Sequence, residues 1–473
     1  MKTIILAVLA LPTVLLPSFA QPDMLWSRTY GGLWEDYAYF VELPPNGGCV
    51  IGGHAQFPDA GGQDFWLLRT NDAGDTLWSR RFGSSSPEYC WAGARTSDGG
   101  YVLAGETSSS LGGGWNFWLV KTSANGTSQW SRAYGGVGTD AAQAVCQTSD
   151  GGYLLAGRTE SFGNGHSGAP DFWVVRTNAN GDSLWSRAFG GTGWDEARSV
   201  VETDDGGCVV AGASGTAACL IKISAEGDSM WGKRLGRPLR CVRRTEDGGF
   251  VLAGNSLGDY WLAKTDTAGD TLWSRTFGGP EYDLAFTVEE TADGGYVLAG
   301  MTQSFGYGQL NSGDFWLVRA SPDGDSLWSC TFGGTEDDVA TALQLLPDGG
   351  YLVAGYTNSY GAGGSDFWLV RTGPDPMSVG NHFVVRPSCF SLSSYPNPFN
   401  ASTTILYDLR RAEFISLCVF DPLGRQVAVL KDGFAQAGNH RVLLDGSTLP
   451  SGVYFARLDA GGFAEAQKLV LLK

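Results

Sequence analysis

Three observations predict an all-β chain, a seven-bladed β-propeller followed by a small immunoglobulin-like β-sandwich. A Trp-centred segment, a Gly-rich turn and an aromatic segment each recur seven times before residue 373. The composition is turn-rich, with 69 Gly in 473 residues, and the repeat gives way to a tail of differently patterned strands. A recurring unit of roughly 20–50 residues marks stacked supersecondary elements, because one such unit cannot bury its own apolar faces.

The landmarks place each element. Trp followed by Ser-Arg or a variant stands at Trp26, Trp78, Trp130, Trp185, Trp231, Trp273 and Trp328, at spacings of 52, 52, 55, 46, 42 and 55. Asp-Gly-Gly before an aromatic begins at Asp98, Asp150, Asp293 and Asp348, with variants at Asn46, Asp205 and Asp247. The Phe-Trp-Leu-Val-Arg/Lys-Thr segment begins at Phe65, Phe117, Phe172, Phe315 and Phe367, and Tyr260 with a degenerate Cys219 segment completes the set. Within one repeat, residues 140–148 alternate and Asp150-Gly151-Gly152 turns the chain into 153–157. A Gly/Ser-rich loop then leads to 172–177, and 178–182 returns it as 183–187. Short apolar runs punctuated by Gly, Asn and Asp read as hairpin-joined strands, so one repeat is one four-stranded antiparallel sheet.

The ends predict closure. Trp26 lies on an outer strand that lacks its hairpin partner, and the last repeat stops at 367–372 without an outer strand, so joining them completes a ring. Thirteen of the 17 Trp define the repeat and are expected to fill the seams between sheets. Arg69, Arg176, Arg319 and Arg371 are expected either to lie over those rings or to pair with the turn aspartates. These repeats resemble those of secreted bacterial β-propeller proteins, and WLVRTNANGDSLWSR resembles quinoprotein-type propeller repeats. That likeness carries the fold, and no quinone pocket is recognisable.

The pattern stops where Gly373-Pro374-Asp375-Pro376 opens a linker spanning 373–389. The tail, 390–473, holds Tyr395-Pro396-Asn397-Pro398-Phe399-Asn400, a DPLGR turn with Gly424 and Arg425, and an SGVYF segment with Gly452, Val453 and Tyr454. Its alternating strands read as a seven-stranded sandwich. These motifs resemble the type A C-terminal sorting domain of the type IX secretion system, with departures at Phe420, Leu444 and Arg410-Arg411. The resemblance implies that this machinery is a partner, and that the cargo is released or attached at the cell surface, commonly with removal of the tail. At the other end, Lys2, the apolar stretch 4–16 and Ser18-Phe19-Ala20 read as a signal peptide, 1–20, cut before Gln21, which leaves 21–372 as the propeller.

Asp plus Glu number 49 against 32 Lys plus Arg, a net charge of −17, which disfavours nucleic acid or an anionic membrane as partner. No apolar run past residue 20 is long enough for a transmembrane helix. The nine cysteines form no CxxC or Cys/His spacing, so zinc is disfavoured. Cys208 is expected opposite Ile223 in its hairpin, not opposite Cys219.

Catalytic material is sparse. The four His cannot readily assemble a triad. The G-x-S-x-G pattern at 254–258 lies between strands, whereas a nucleophile elbow needs a strand-to-helix turn. Turns such as 71–75 echo half a calcium loop but lack its distal Glu.

Two features exceed repeat maintenance. Acids precede the first strand of most repeats, at Asp36, Asp140, Asp195, Asp283 and Asp338, and two readings stand: each caps its own turn, or together they form a cation-attracting rim that takes calcium. Four Trp, at 34, 91, 115 and 194, fall outside the consensus, and Trp34, Trp91 and Trp194 beside those acids make a candidate sugar-stacking surface, burial between blades being the alternative. An arginine-rich stretch, Arg234, Arg237, Arg240, Arg243 and Arg244, reads by default as solvated positive charge, the alternative being a basic notch that receives an acidic partner.

The function expected is a secreted or cell-surface binding module, not an enzyme, that recognises an extracellular polysaccharide or surface protein through its loop face without a cofactor. A structural surface component is the alternative. A polysaccharide-degrading enzyme is the third reading, and it needs two carboxylates about 5–10 Å apart across a groove.

Overall fold

The computed structural model describes residues 21–57, 62–108, 114–163, 169–215, 217–236, 238–306, 312–375, 392–395, 397–409, 413–422, 425–436, 438–460 and 463–473. The signal-peptide segment, Arg237, Pro396 and Gly424 lie outside them. The described residues form two compact units, one within 21–375 and one within 392–473.

Seven four-stranded antiparallel sheets build the first unit. Six run from inner to outer strand in sequence order: blade 1 over residues 36–82, blade 2 over 88–134, blade 3 over 140–189, blade 4 over 195–234, blade 5 over 239–277 and blade 6 over 283–332. Blade 7 takes its three inner strands from 338–372 and its outer strand from Met24–Tyr30, with Trp26 opposite Arg371 and Tyr30 opposite Phe367. The ring is therefore closed by hydrogen bonds between the two ends of the repeat, as the orphan strands require.

Second and third strands are buried on both faces, as in Tyr153–Thr159 and Asp171–Thr177, which is why they read as nearly continuous apolar runs. Outer strands such as Ser183–Phe189 are largely exposed and carry the polar alternation. Across five of the seven seams a third-strand Phe or Tyr meets the third-strand Trp of the next blade. Ring centroids are 4.6 Å apart for Phe65–Trp118, 4.5 Å for Phe117–Trp173, 4.4 Å for Tyr260–Trp316, 4.4 Å for Phe315–Trp368 and 4.6 Å for Phe367–Trp66, the last joining blade 7 to blade 1. Outer-strand Trp rings cover the next blade's hairpin turn: at Gly181, with φ of +79°, a Cβ would stand 2.7 Å from Trp130.

The repeated cations resolve into two roles. Third-strand cations are buried and clamp the Asp of the inner hairpin turn, at 2.8 Å for Lys121–Asp98, 2.7 Å for Arg176–Asp150 and Lys222–Asp205, 2.8 Å for Lys264–Asp247 and 2.6 Å for Arg319–Asp293. Arg371 pairs with Asp348 in the same way, and Arg69 reaches Asn46. The outer-strand Arg28, Arg80, Arg132 and Arg275 are the ones that lie over Trp rings.

The linker expected to begin at 373 begins later. Gly373 N–H donates to Asp23 O, and the buried carboxylate of Asp375 accepts from Arg319 Nε at 2.9 Å, Trp328 Nε1 at 3.0 Å and Tyr351 Oη at 2.5 Å. Three donors converging on one buried acid fasten the end of the last blade to its neighbour.

Blade 4 breaks the seam pattern on both sides, since Ala218-Cys219 replace the aromatic pair. A space of about 430 Å³ lined by Phe172, Phe189, Cys219, Ile221 and Arg234 marks where the missing indole would lie. No disulfide forms among the eight described cysteines, and Cys208 stands opposite Ile223 as expected.

In the second unit a three-stranded sheet (Leu392–Tyr395, Ser402–Leu409, Gly438–Asp445) and a four-stranded sheet (Glu413–Phe420, Gln426–Ala435, Gly452–Ala460, Phe463–Leu471) form the sandwich. Its core includes Phe399, Ile405, Leu417, Tyr454, Leu458 and Leu469. The YPNPFN motif is stitched to the last strand: Asn397 Nδ2 donates to Lys468 O at 2.7 Å, Val470 N–H donates to Asn397 Oδ1 at 2.9 Å, and Phe399 is buried beside Leu471. Pro398 and Asn400 are exposed, and Tyr395 ends the first strand of the three-stranded sheet. Arg425 pairs with Asp421 at 2.7 Å, and Tyr454 Oη donates to Pro450 O. Gly452 and Val453 open the strand that carries Tyr454.

Two outcomes follow from this packing. Cys219→Trp restores the missing seam ring and is expected to raise stability by about 1 kcal/mol in urea denaturation. Asp375→Ala leaves three buried donors short of an acceptor and is expected to lower it by roughly 3 kcal/mol by the same measurement.

Candidate functional site

Each innermost strand carries a β-bulge at the same place, one residue after the small residue that follows its entry. The extra residue stands at Tyr39, Trp91, Gln143, Arg198, Arg240, Phe286 and Thr341 in blades 1 to 7. A bulge takes one residue out of the ladder and re-aims its side chain, and here all seven line the central channel, a space of about 350 Å³. Ring packing asks nothing of these side chains, so the repeat leaves them free to differ.

They differ by sector. Blades 1 and 2 supply an aromatic wall in which Tyr39 and Trp91 meet edge to face at 5.0 Å, and His54 stacks on Tyr39 at 5.4 Å and lies 5.1 Å from Trp91. Tyr89 extends the wall to Trp115 at 5.4 Å, and Tyr37 extends it to Tyr356 of blade 7 at 4.8 Å. At the positions of Tyr37 and Tyr89, four of the other five sheets carry Ala141, Glu196, Leu284 and Val339. His54 is buried and its Nδ1–H donates to Cys90 O at 3.1 Å, and burial lowers its pKa to about 4, so the ring is neutral near pH 7.

Blades 3 to 5 supply a charged wall. Glu196 is held by Arg158 and by Arg198, each at 3.0 Å. Next to that wall, Glu106 of blade 2 accepts from Trp91 Nε1 at 3.2 Å, and burial raises its pKa. Arg240 lies 5.2 Å from the ring centroid of Phe286; burial lowers its pKa to about 10, which leaves it charged at pH 7. Arg243 pairs with Glu289 at 2.9 Å and, with Glu42, also lines the channel.

Of the tryptophans singled out from sequence, Trp91 joins the channel wall and Trp115 packs behind it. Trp34 and Trp194 are exposed, at 47% and 50%, in loops that precede inner strands, and Trp194 stands 5.1 Å from the Arg158 guanidinium. The acidic rim is not what the aspartates build. Asp36, Asp140, Asp195, Asp283 and Asp338 are at most 3% exposed. Each caps its own entry loop, accepting from the N–H of Gly32, Gly136, Gly191, Gly279 or Gly334 at 2.8–3.0 Å. Thr159, Thr302 and Thr357 hydroxyls donate to three of them. In Asp140, Asp283 and Asp338 both carboxylate oxygens accept from backbone N–H groups and Thr or Ser hydroxyls inside the protein. Among the described residues no group of three or more His, Cys, Asp or Glu is placed to hold a metal ion.

The basic notch also dissolves. Arg234 lies on an outer strand, Arg240 and Arg243 line the channel, and Arg244 pairs with Asp204 ahead of an inner hairpin turn. Ser256 is buried, and Leu257-Gly258 is the two-residue turn of a hairpin, so the G-x-S-x-G pattern is strand punctuation. Sequence reasoning missed Tyr37, Tyr39, His54, Tyr89, Arg158, Arg198 and Glu106. The signal was present: aligning the repeats on the residue three after the entry position reads Tyr, Trp, Gln, Arg, Arg, Phe, Thr.

Residues 393–472 match the family described as secretion system C-terminal sorting domain. The chain is thus a β-propeller cargo with a type IX sorting tail, directed to the cell surface or the extracellular space, and no described helix is long and apolar enough to cross a membrane. No curated protein sequence matches the chain. Among solved structures, it is similar to virginiamycin B lyase from Staphylococcus aureus, at 10% identity, covering 73% of this chain and 99% of that one with a TM-score of 0.45. It is also similar to a protein from Lactobacillus plantarum, at 12% identity over 84% and 99% of the two chains with a TM-score of 0.43. A protein of unknown function from Dyadobacter fermentans matches at 15% identity over 76% and 100%, with a TM-score of 0.41.

Proposed function

We propose that the propeller is a non-catalytic binding module that works outside the cell, and that its ligand is an extracellular saccharide seated at the mouth of the central channel. The observation that carries this reading is the aromatic wall of Tyr37, Tyr39, Tyr89, Trp91 and Trp115. These rings occupy positions where ring packing requires none and stay half-buried: Tyr39 and Trp91 line the cavity, and Tyr37, Tyr89 and Trp115 extend the cluster around them. A pyranose presents an apolar face to such rings and hydroxyls to the neighbouring carboxylates and guanidinium groups. The same geometry disfavours hydrolysis: His54 is buried with its Nδ1 proton committed to a carbonyl, and Glu196 is held between two arginines.

The test is a pull-down of the full chain on a panel of insoluble and immobilised polysaccharides, with the supernatant assayed for released sugar. Binding without release is expected, and Trp91→Ala is expected to weaken it by about tenfold or more. Undiminished binding by that variant, or release of sugar, contradicts the reading.

A further inference from the structure

Arg240 sets the chemistry of the channel apart from that of a neutral sugar site. It belongs to blade 5, whose inner strand starts at Leu239 and lacks the acidic entry residue of its neighbours. Its guanidinium forms no ion pair among the described residues; Glu196, the carboxylate whose charge it feels, is already shared by Arg158 and Arg198. In a chain of net charge −17, a half-buried guanidinium without a carboxylate of its own is costly to hold, yet it is kept on the face of Phe286 and beside Arg198. The planar fork of such a group offers paired donors suited to a carboxylate or a sulfate.

Geometry limits the ligand further. Seven inner strands surround the channel completely, so a polymer cannot lie across it and only an end can enter. A space of about 350 Å³ accepts about one or two sugar rings. We infer that the channel recognises the anionic end of a saccharide, with the ring stacked on the Tyr39–Trp91 wall and the carboxylate or sulfate taken by Arg240. This rests on the reading of the channel mouth as the ligand seat and adds the ligand's charge and its end-on approach.

The experiment titrates the full chain calorimetrically with digalacturonate, glucose 6-sulfate and lactose, using the wild type, Arg240→Gln, Arg240→Lys and Trp91→Ala, with melting temperatures to confirm folding. At least one acidic probe is expected to bind about tenfold or more tighter than lactose, and which one does so identifies carboxylate or sulfate as the anion. Arg240→Gln is expected to erase that margin, and Arg240→Lys to retain part of it. Lactose binding as tightly as both acidic probes, a margin that survives Arg240→Gln, or saturation by no probe overturns the inference. Acidic binding that is unmoved by Trp91→Ala places the seat elsewhere and removes the underlying reading as well.

Discussion

The contact on which the rest of the propeller depends is the ring-on-ring seam between a third-strand Phe or Tyr and the Trp of the next blade. Each sheet is apolar on both faces and has no stable existence alone, so its burial is complete only when both seams are made. Large aromatic rings supply that area in a single side chain and add about 0.5–1.5 kcal/mol per pair from their geometry. The Phe367–Trp66 contact has a further consequence, because it joins the last blade to the first and turns a stack into a ring. Once the ring is closed, the innermost strands are held around an axis, and whatever side chains point inward become a site.

That division of labour explains what was legible in the sequence. Trp66, Trp118, Trp173, Trp316 and Trp368 recur because each solves the same packing problem, so repetition exposed the blades, their four strands and the closing strand at Trp26. The sorting tail was legible for a related reason: Asn397 and Phe399 are fixed by hydrogen bonds and burial against the last strand, and this ties the motif to the fold. The channel was hidden because its lining residues are defined by difference. Tyr39 and Arg240 occupy equivalent positions yet share no chemistry, and only the bulge, which shows in strand register, reveals that both turn inward.

The aspartates show the opposite error. A recurrent acid was visible at Asp140 and Asp283, and sequence left open whether it served a turn or a ligand. Burial decides it, since a carboxylate that accepts from a Gly N–H and a Thr hydroxyl has its lone pairs occupied within the loop. The cations followed the same logic. Third-strand Lys and Arg neutralise turn aspartates at the opposite end of the blade, which leaves Arg198 and Arg240 as charges that the repeat does not explain.

A scaffold maintained by seams and clamps is thus distinct from the seven bulged residues proposed as the site, and the sorting tail directs both out of the cell. The most direct measurement is a crystal structure of the full chain with the tightest saccharide bound. The account places the sugar in the central channel, with its ring against Trp91 and its acidic group on Arg240. Density instead on the outer strands or over the inner hairpin turns, with the channel filled only by water, contradicts it.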